Sequence, residues 1–213
     1  TSSYEFQVAN NYAVAGRIDN YSVPGLRIGI SGYWGRTFKN TLKTIGSRYE
    51  NVKGDLTIGS IDFTYDNHNW IIRGNADYAH LDDANAITAF NKNYPLHSAQ
   101  DGSPSKHQPV ASNAVAVAIE AGYDVFSRFA KLRESKDRLY VFGKYEYYDA
   151  MASSTYRSSY EWCKTNRIAF GLNYFPIRDL VIKAEYSQRF LKSTFNNEPS
   201  ISVGVAWSGV LVN

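Results

Sequence analysis

The feature that most constrains this chain is an alternation of apolar and polar side chains with a period of two residues, repeated along most of its length. Successive side chains of a β-strand point to opposite faces, so this period predicts strands with one apolar and one polar face. The clearest case is 180–190, where Leu180, Ile182, Ala184 and Tyr186 alternate with Val181, Lys183, Glu185, Ser187 and Arg189. An all-β chain is therefore expected.

The same pattern predicts about nine strands of roughly 9 to 13 residues, which is longer than the ~5–6 residues usual in soluble sheets. Strands of this length suit a tilted crossing of a membrane. Their clearest segments are 12–19, 26–31, 61–65, 69–78, 113–124, 139–148, 167–174, 180–190 and 201–208.

The connections between these segments alternate between short and long. Short ones rich in turn-forming residues lie at 22–25, 66–69 and 176–179, and long ones at 36–52, 80–110, 150–164 and 191–199. Segment 125–137 is long but lies at the end of the strands where the other connections are short. We interpret it as a periplasmic turn containing a short amphipathic helix. Short turns at one end and long loops at the other are typical of outer-membrane barrels.

The sequence therefore predicts an antiparallel up-and-down transmembrane β-barrel, with residues 1–213 forming one domain or a fragment of one. The loop 80–110 either extends outside the cell or folds into the lumen as a constriction. Counting strands back from the last one places Thr1 outside, whereas barrels of this kind have an even strand number. We expect either that residues precede Thr1 in a larger barrel or that Ser3–Ala9 adds a strand.

Composition excludes several other classes. No stretch approaches the ~18 apolar residues of a membrane helix. A net charge of +3, with basic residues scattered among acidic ones, argues against a nucleic-acid partner. The single Cys163 permits no internal disulfide.

Two features favour a membrane barrel over a soluble β-sandwich. The polar faces mix charge with Gly, Ala and Ser, as a crowded, water-filled lumen requires. Aromatic residues concentrate near strand ends, where amphipathic rings would meet lipid headgroups. They are Tyr12, Tyr21, Trp34, Tyr65, Trp70, Tyr78, Tyr123, Tyr147, Tyr174, Tyr186 and Trp207.

Several stretches resemble porins of Bacteroidetes related to the phosphate-selective porin O and P group. They are GLRIGISGYWG at 25–35, DFTYDNHNWIIRGNADY at 62–78, AGYDVF at 121–126, LYVFGKYEYYD at 139–149 and GLNYFPIRDLVIKAEY at 171–186. These motifs are strand and turn patterns, not catalytic signatures. The resemblance implies a general porin and leaves the solute open.

If the apolar faces meet lipid, seven basic and five acidic side chains are expected to line the pore. They are Arg17, Arg27, Arg73, Lys144, Arg167, Lys183 and Arg189, with Asp62, Asp77, Glu120, Glu146 and Glu185. Such a set serves either as ion pairs that keep a barrel rigid or as a ladder that selects solutes. Candidates for such pairs across neighbouring strands are Lys183 and Glu185 beside Arg167. The excess of basic residues predicts a weak preference for anions.

Enzyme activity is not expected, since the four histidines stand in no nucleophile or metal-binding motif. Asp77, His80, Asp82 and Asp83 cluster in sequence and suggest a hydrolase or a divalent-cation site as the weaker alternative. No catalytic residue, metal site or cofactor is predicted.

The sequence thus predicts a porin in a bacterial outer membrane that passes small hydrophilic solutes. The alternative is a barrel without transport activity that serves as a scaffold in an outer-membrane assembly. Outer-membrane lipid and small polar solutes are the expected partners, and a homotrimer or a complex with other outer-membrane proteins is left open.

Overall fold

The computed structural model describes residues 11–37, 51–93, 109–134, 136–153, 163–191 and 197–208. Nine strands form one antiparallel sheet in which neighbours in sequence are neighbours in space. They are β1 (Ala13–Val23), β2 (Leu26–Arg36), β3 (Asp55–Asn67), β4 (Trp70–Leu81), β5 (Asn113–Asp124), β6 (Arg138–Ser153), β7 (Lys164–Ile177), β8 (Leu180–Phe190) and β9 (Pro199–Trp207). The predicted all-β, up-and-down antiparallel fold is confirmed.

The register turns the alternation in the sequence into two continuous faces. Ile18, Ile30, Ile61 and Ala76 lie opposite one another across β1 to β4, and the adjacent row contains Asp19, Gly29, Asp62 and Asn75. Residues directly opposite on paired strands share a face. One face of the sheet is therefore apolar, and the other carries the polar and charged residues.

The apolar face is the more exposed of the two. Ile18 is 79% exposed, Phe170 is 60% exposed and Ile201 is 80% exposed. The buried apolar residues in the described segments are only Ala84, Ile87, Phe142, Met151, Cys163, Ala169 and Val181. A water-soluble sandwich requires a packed core between its sheets. The large aliphatic side chains of these strands form no such core.

Tight turns join three strand pairs at one end of the sheet. The β3–β4 turn places His68 at φ 52° and Asn69 at φ 65°, and two positive values in a two-residue hairpin loop are typical of a type I′ turn. The β1–β2 turn contains Pro24 followed by Gly25 at φ 79°. The β7–β8 turn lies at the same end. The predicted asymmetry of the connections is therefore present.

The connection between β5 and β6 is helical, as predicted. It forms a 3₁₀ turn at Val125–Arg128 followed by helix α2 at Ala130–Arg133. The buried carboxylate of Asp124 accepts hydrogen bonds from the backbone N–H groups of Phe126 at 3.1 Å and Leu139 at 3.2 Å. One side chain therefore joins both ends of this connection.

Helix α1 (Ala84–Asn93) lies within the predicted 80–110 loop and was not foreseen. The Thr88 hydroxyl accepts a hydrogen bond from Val110 N–H at 3.0 Å, which ties the helix to the segment that leads into β5. The backbone N–H of Ile87 bonds the Asp83 carbonyl at 2.9 Å and so begins the helix. The sequence signal was the pair Asp82–Asp83, which are residue types common at helix starts.

Strands β1 and β9 are the two edges of the described sheet, and they run in the same direction because seven antiparallel strands separate them. All residues of β9 are exposed, as are all but one of β1. The suggested extra strand Ser3–Ala9 and the remainder of the 80–110 loop beyond its described parts lie outside the described residues.

Gly25→Ala should destabilise the protein. A Cβ at Gly25 would lie 2.8 Å from the Asp66 carbonyl oxygen, and its positive φ is strained for any L side chain. The expected loss is at least ~1–2 kcal/mol, measured by urea unfolding in detergent or lipid. Gly16→Ala is the matched control, since a Cβ there meets nothing within 4 Å. Equal urea midpoints for the two variants would contradict the assigned turn.

Candidate functional site on the polar face of the sheet

The polar face is concave. A cavity of about 690 Å³ is lined by residues from every strand between β4 and β9, among them Asn75, Glu146, Arg167, Ser187 and Ser200. A second cavity of about 340 Å³ lies beside it and is lined from β2 to β6. Side chains from so many consecutive strands meet one cavity only if the sheet curves toward them.

The register places all twelve predicted pore-lining residues on this concave face. One row crosses the sheet as Asp62, Asn75, Ala118, Glu146, Arg167 and Arg189, and the next as Arg27, Thr64, Arg73, Glu120 and Lys144. Arg17 and Asp77 lie one row further toward the long loops, and Glu185 and Lys183 lie toward the tight turns.

A first group of ion pairs lies on β1 to β3. Arg17 Nη2 lies 2.8 Å from both Asp19 Oδ1 and Asp62 Oδ2. Arg27 Nη1 lies 2.8 Å from Asp19 Oδ1, and its other terminal nitrogen bonds Asp62. Each arginine therefore bridges both aspartates, and each aspartate is shared by two guanidinium groups. Such networks restrict four side chains far more than an isolated surface pair does.

Gly29 provides the space for this group. It lies between Asp19 and Asp62 in the same row, and a Cβ added there would collide with Arg17 Nη2 and come within 2.7 Å of Asp19 Oδ1. The guanidinium of Arg17 can reach across β2 to β3 because this position has no side chain.

A second group lies on β6 to β8 and has Arg167 at its centre. The guanidinium bonds Glu146 at 3.0 Å, Glu185 at 2.8 Å and the Ser187 hydroxyl at 3.0 Å. Lys144 Nζ lies 2.6 Å from Glu146. The expected association of Glu185 with Arg167 is confirmed. Lys183, expected beside them, is exposed and forms no ion pair with any described residue.

The strands between the two groups have fewer ion pairs. Arg73 and Glu120 lie opposite each other on β4 and β5, but no salt bridge joins them. Asp77 accepts hydrogen bonds from the Ser60 hydroxyl and the Asn75 amide. The concave face therefore has paired charges on both sides of a less constrained centre.

Asp19 is a member of the site that the sequence analysis missed. It shares the polar side of β1 with Arg17, two residues earlier, and this Arg-x-Asp spacing was the available signal. Besides Asp19, the register also places Asp66, Asp124 and Arg138 on the concave face, so its described strands carry eight basic and eight acidic residues. The predicted excess of positive charge is therefore absent from the described strands.

The sequence cluster of Asp77, His80, Asp82 and Asp83 is not one site in space. Asp77 lies on the concave face, whereas His80, three residues later, lies on the opposite face and contacts Asn113 and Asp82. Asp83 accepts a hydrogen bond from Lys53 N–H at 3.0 Å. The described segments contain no group of three His, Cys, Asp or Glu residues arranged to hold a metal ion.

No helix in the described part of the chain has the length and apolar character to span a membrane.

Gly29→Val is expected to break the first group of ion pairs by displacing Arg17. The urea midpoint of the folded protein should fall, because both aspartates would lose one of their two cationic partners. Gly59→Val is the matched control on neighbouring β3, since a Cβ there meets nothing within 4 Å. The network would be irrelevant to stability if Gly29→Val unfolded at the same urea concentration as Gly59→Val.

Comparison with solved structures finds OmpT, an outer membrane protein of Vibrio cholerae, in two forms. The loop L8 deletion mutant is 14% identical with a TM-score of 0.49, and the match covers 92% of this chain and 53% of that one. The in-vitro folded protein is 14% identical with a TM-score of 0.47, covering 92% and 55%. This chain therefore spans about half the length of these proteins. No family model and no curated protein matches it.

Proposed function

We propose that this chain forms the wall of a bacterial outer-membrane pore through which small hydrophilic solutes diffuse passively. The observation that carries the proposal is a distribution of side chains opposite to that of a water-soluble protein. Large apolar residues cover the exposed convex face, and ion-paired residues cover the concave face. Hydrocarbon outside and water inside is the environment that stabilises this arrangement.

The convex face has the pattern of a lipid-facing surface. Its exposed aliphatic residues are bounded by exposed aromatics, with Trp70 and Trp207 toward the tight turns and Trp34 and Tyr78 toward the long loops. Trp70 and Tyr123 pack with ring centroids 4.8 Å apart, and Arg128 lies 5.4 Å from the centroid of the Tyr123 ring. Aromatic rings with cations beside them suit the headgroup region of a bilayer.

The ionised side chains of the concave face must remain hydrated. An ionised side chain in hydrocarbon costs several kcal/mol, and this face carries sixteen acidic and basic residues in the described strands. In a water-filled lumen the same residues stay hydrated and pair across neighbouring strands.

Closure of the sheet is part of the proposal. The main-chain groups at an unpaired strand edge cannot face lipid without large cost. Because β1 and β9 run in the same direction, an odd number of further strands must lie between them in a fully antiparallel barrel.

The resemblance to the Bacteroidetes porins stays a prediction.

Ion selectivity is expected to be small. The eight basic and eight acidic residues of the described concave face balance, and most of these charges are already paired within the wall. Planar-bilayer recordings across a salt gradient should give a reversal potential close to zero. A non-conducting protein would favour the scaffold function, and strong selectivity for either sign of charge would contradict the assigned lumen charges.

Arg73→Glu should shift the reversal potential toward cations, because Arg73 lies on the concave face without a salt bridge to any described residue. Arg36→Glu makes the same change of charge on the opposite face of β2 and serves as the control. The assignment of Arg73 to the lumen fails if both variants shift the potential equally.

Ile119→Arg should impair insertion and stability, since Ile119 is an exposed residue of the convex face in the middle of β5. The expected cost is ~2–4 kcal/mol for a basic residue near the bilayer midplane, measured by unfolding in lipid vesicles. Ala118→Arg, one residue earlier, points into the concave face near Glu146 and should be tolerated. A larger loss for Ala118→Arg would reverse the assignment of the two faces.

A further inference from the structure

The 690 Å³ cavity on the concave side of β4 to β9 differs chemically from the rest of that face. Its volume lies within the range of ~300–1,000 Å³ typical of sites for small molecules. Its walls combine charged residues, hydroxyl and amide groups and the ring of Tyr148, which is 41% exposed. This combination points to a class of solute.

The charges in this cavity cancel. Arg167 is paired with Glu146, and Arg189 Nη2 lies 2.9 Å from Glu198 Oε2. The cavity therefore contains two arginines and two glutamates, each in an ion pair. Arg167 and Arg189 lie opposite each other in the register, and these acidic partners offset their mutual repulsion. An ionic solute would find no net charge to attract it.

Uncharged polar groups fill the space between these pairs. Asn75, Ser187 and Ser200 line the cavity, and so does Thr165, which is 1% exposed. The Thr165 hydroxyl oxygen is buried and has no hydrogen-bond partner among the described residues, which costs free energy unless water or a solute supplies one.

We propose that this cavity is a solute subsite that takes a neutral polyhydroxylated molecule, with the size and chemistry of a mono- or disaccharide. A solute hydroxyl can donate to a glutamate and accept from the neighbouring arginine, so paired charges suit it better than they suit an ion. The Tyr148 ring offers a flat apolar surface for the C–H groups of a sugar ring. The inference rests on the proposed pore, because the subsite would lie in its lumen.

The test uses the intact protein in planar bilayers with maltose and, separately, inorganic phosphate added to the solution. Maltose should reduce the current reversibly and saturably, and phosphate should not. Tyr148→Ala should weaken maltose binding roughly threefold to tenfold, as expected for loss of one aromatic contact. Tyr140→Ala is the control. It changes the same face of β6 outside the cavity, where the Tyr140 ring lies 6.0 Å from that of Phe175.

Isothermal titration of the detergent-solubilised protein with maltose separates this inference from the pore. Conductance without maltose binding overturns the subsite and leaves the pore intact. Maltose binding without conductance overturns the pore and leaves the subsite. Stronger block by phosphate than by maltose, or equal maltose affinity in the two tyrosine variants, also overturns the subsite.

Discussion

The structure depends on keeping charged side chains and large apolar side chains on opposite faces of each strand, although the two kinds are neighbours in sequence. In β5, Ile119 and Glu120 are adjacent in sequence and point to opposite faces. The same separation is repeated across the nine strands, so the register must hold throughout the sheet. A slip of one residue in any strand would bring its charged side chains to the convex face and its apolar side chains to the concave face. The free-energy cost of that exchange fixes the strand pairing more firmly than the individual hydrogen bonds do.

The ion pairs on the concave face follow from that register. Asp19, Gly29 and Asp62 meet in one row, and the missing side chain of Gly29 lets Arg17 span two neighbouring strands. Arg167 has a comparable role on β7, between acidic residues of β6 and β8. Most of these charges are satisfied by neighbouring residues, so the side chains that stiffen the sheet leave little net charge on its concave face. In the proposed pore, polar uncharged solutes are then the species that this face suits.

Sequence reasoning predicted the strands and their faces because both follow from a period of two. Apart from the pair of Arg167 and Glu185, it did not find which residues pair across strands, since that depends on register. The extent of β6, which has 16 residues, exceeds the predicted range. Helix α1 was missed inside a segment judged only by its length. The weaker alternative of a site that groups Asp77 with His80 is not formed, because residues three apart in a strand face opposite ways. Asp19 was overlooked in the weakest of the predicted strands.

The account is tested most directly by spin labels placed one at a time at residues 115–122 of β5, with Cys163 replaced, in lipid bilayers. The rate at which oxygen collides with a label reports its exposure to hydrocarbon, and the rate for a water-soluble nickel complex reports its exposure to water. The account predicts oxygen maxima at Val115, Val117, Ile119 and Ala121, with nickel maxima at the residues between them. Nickel access at all eight positions, or oxygen maxima at the even-numbered ones, would contradict it.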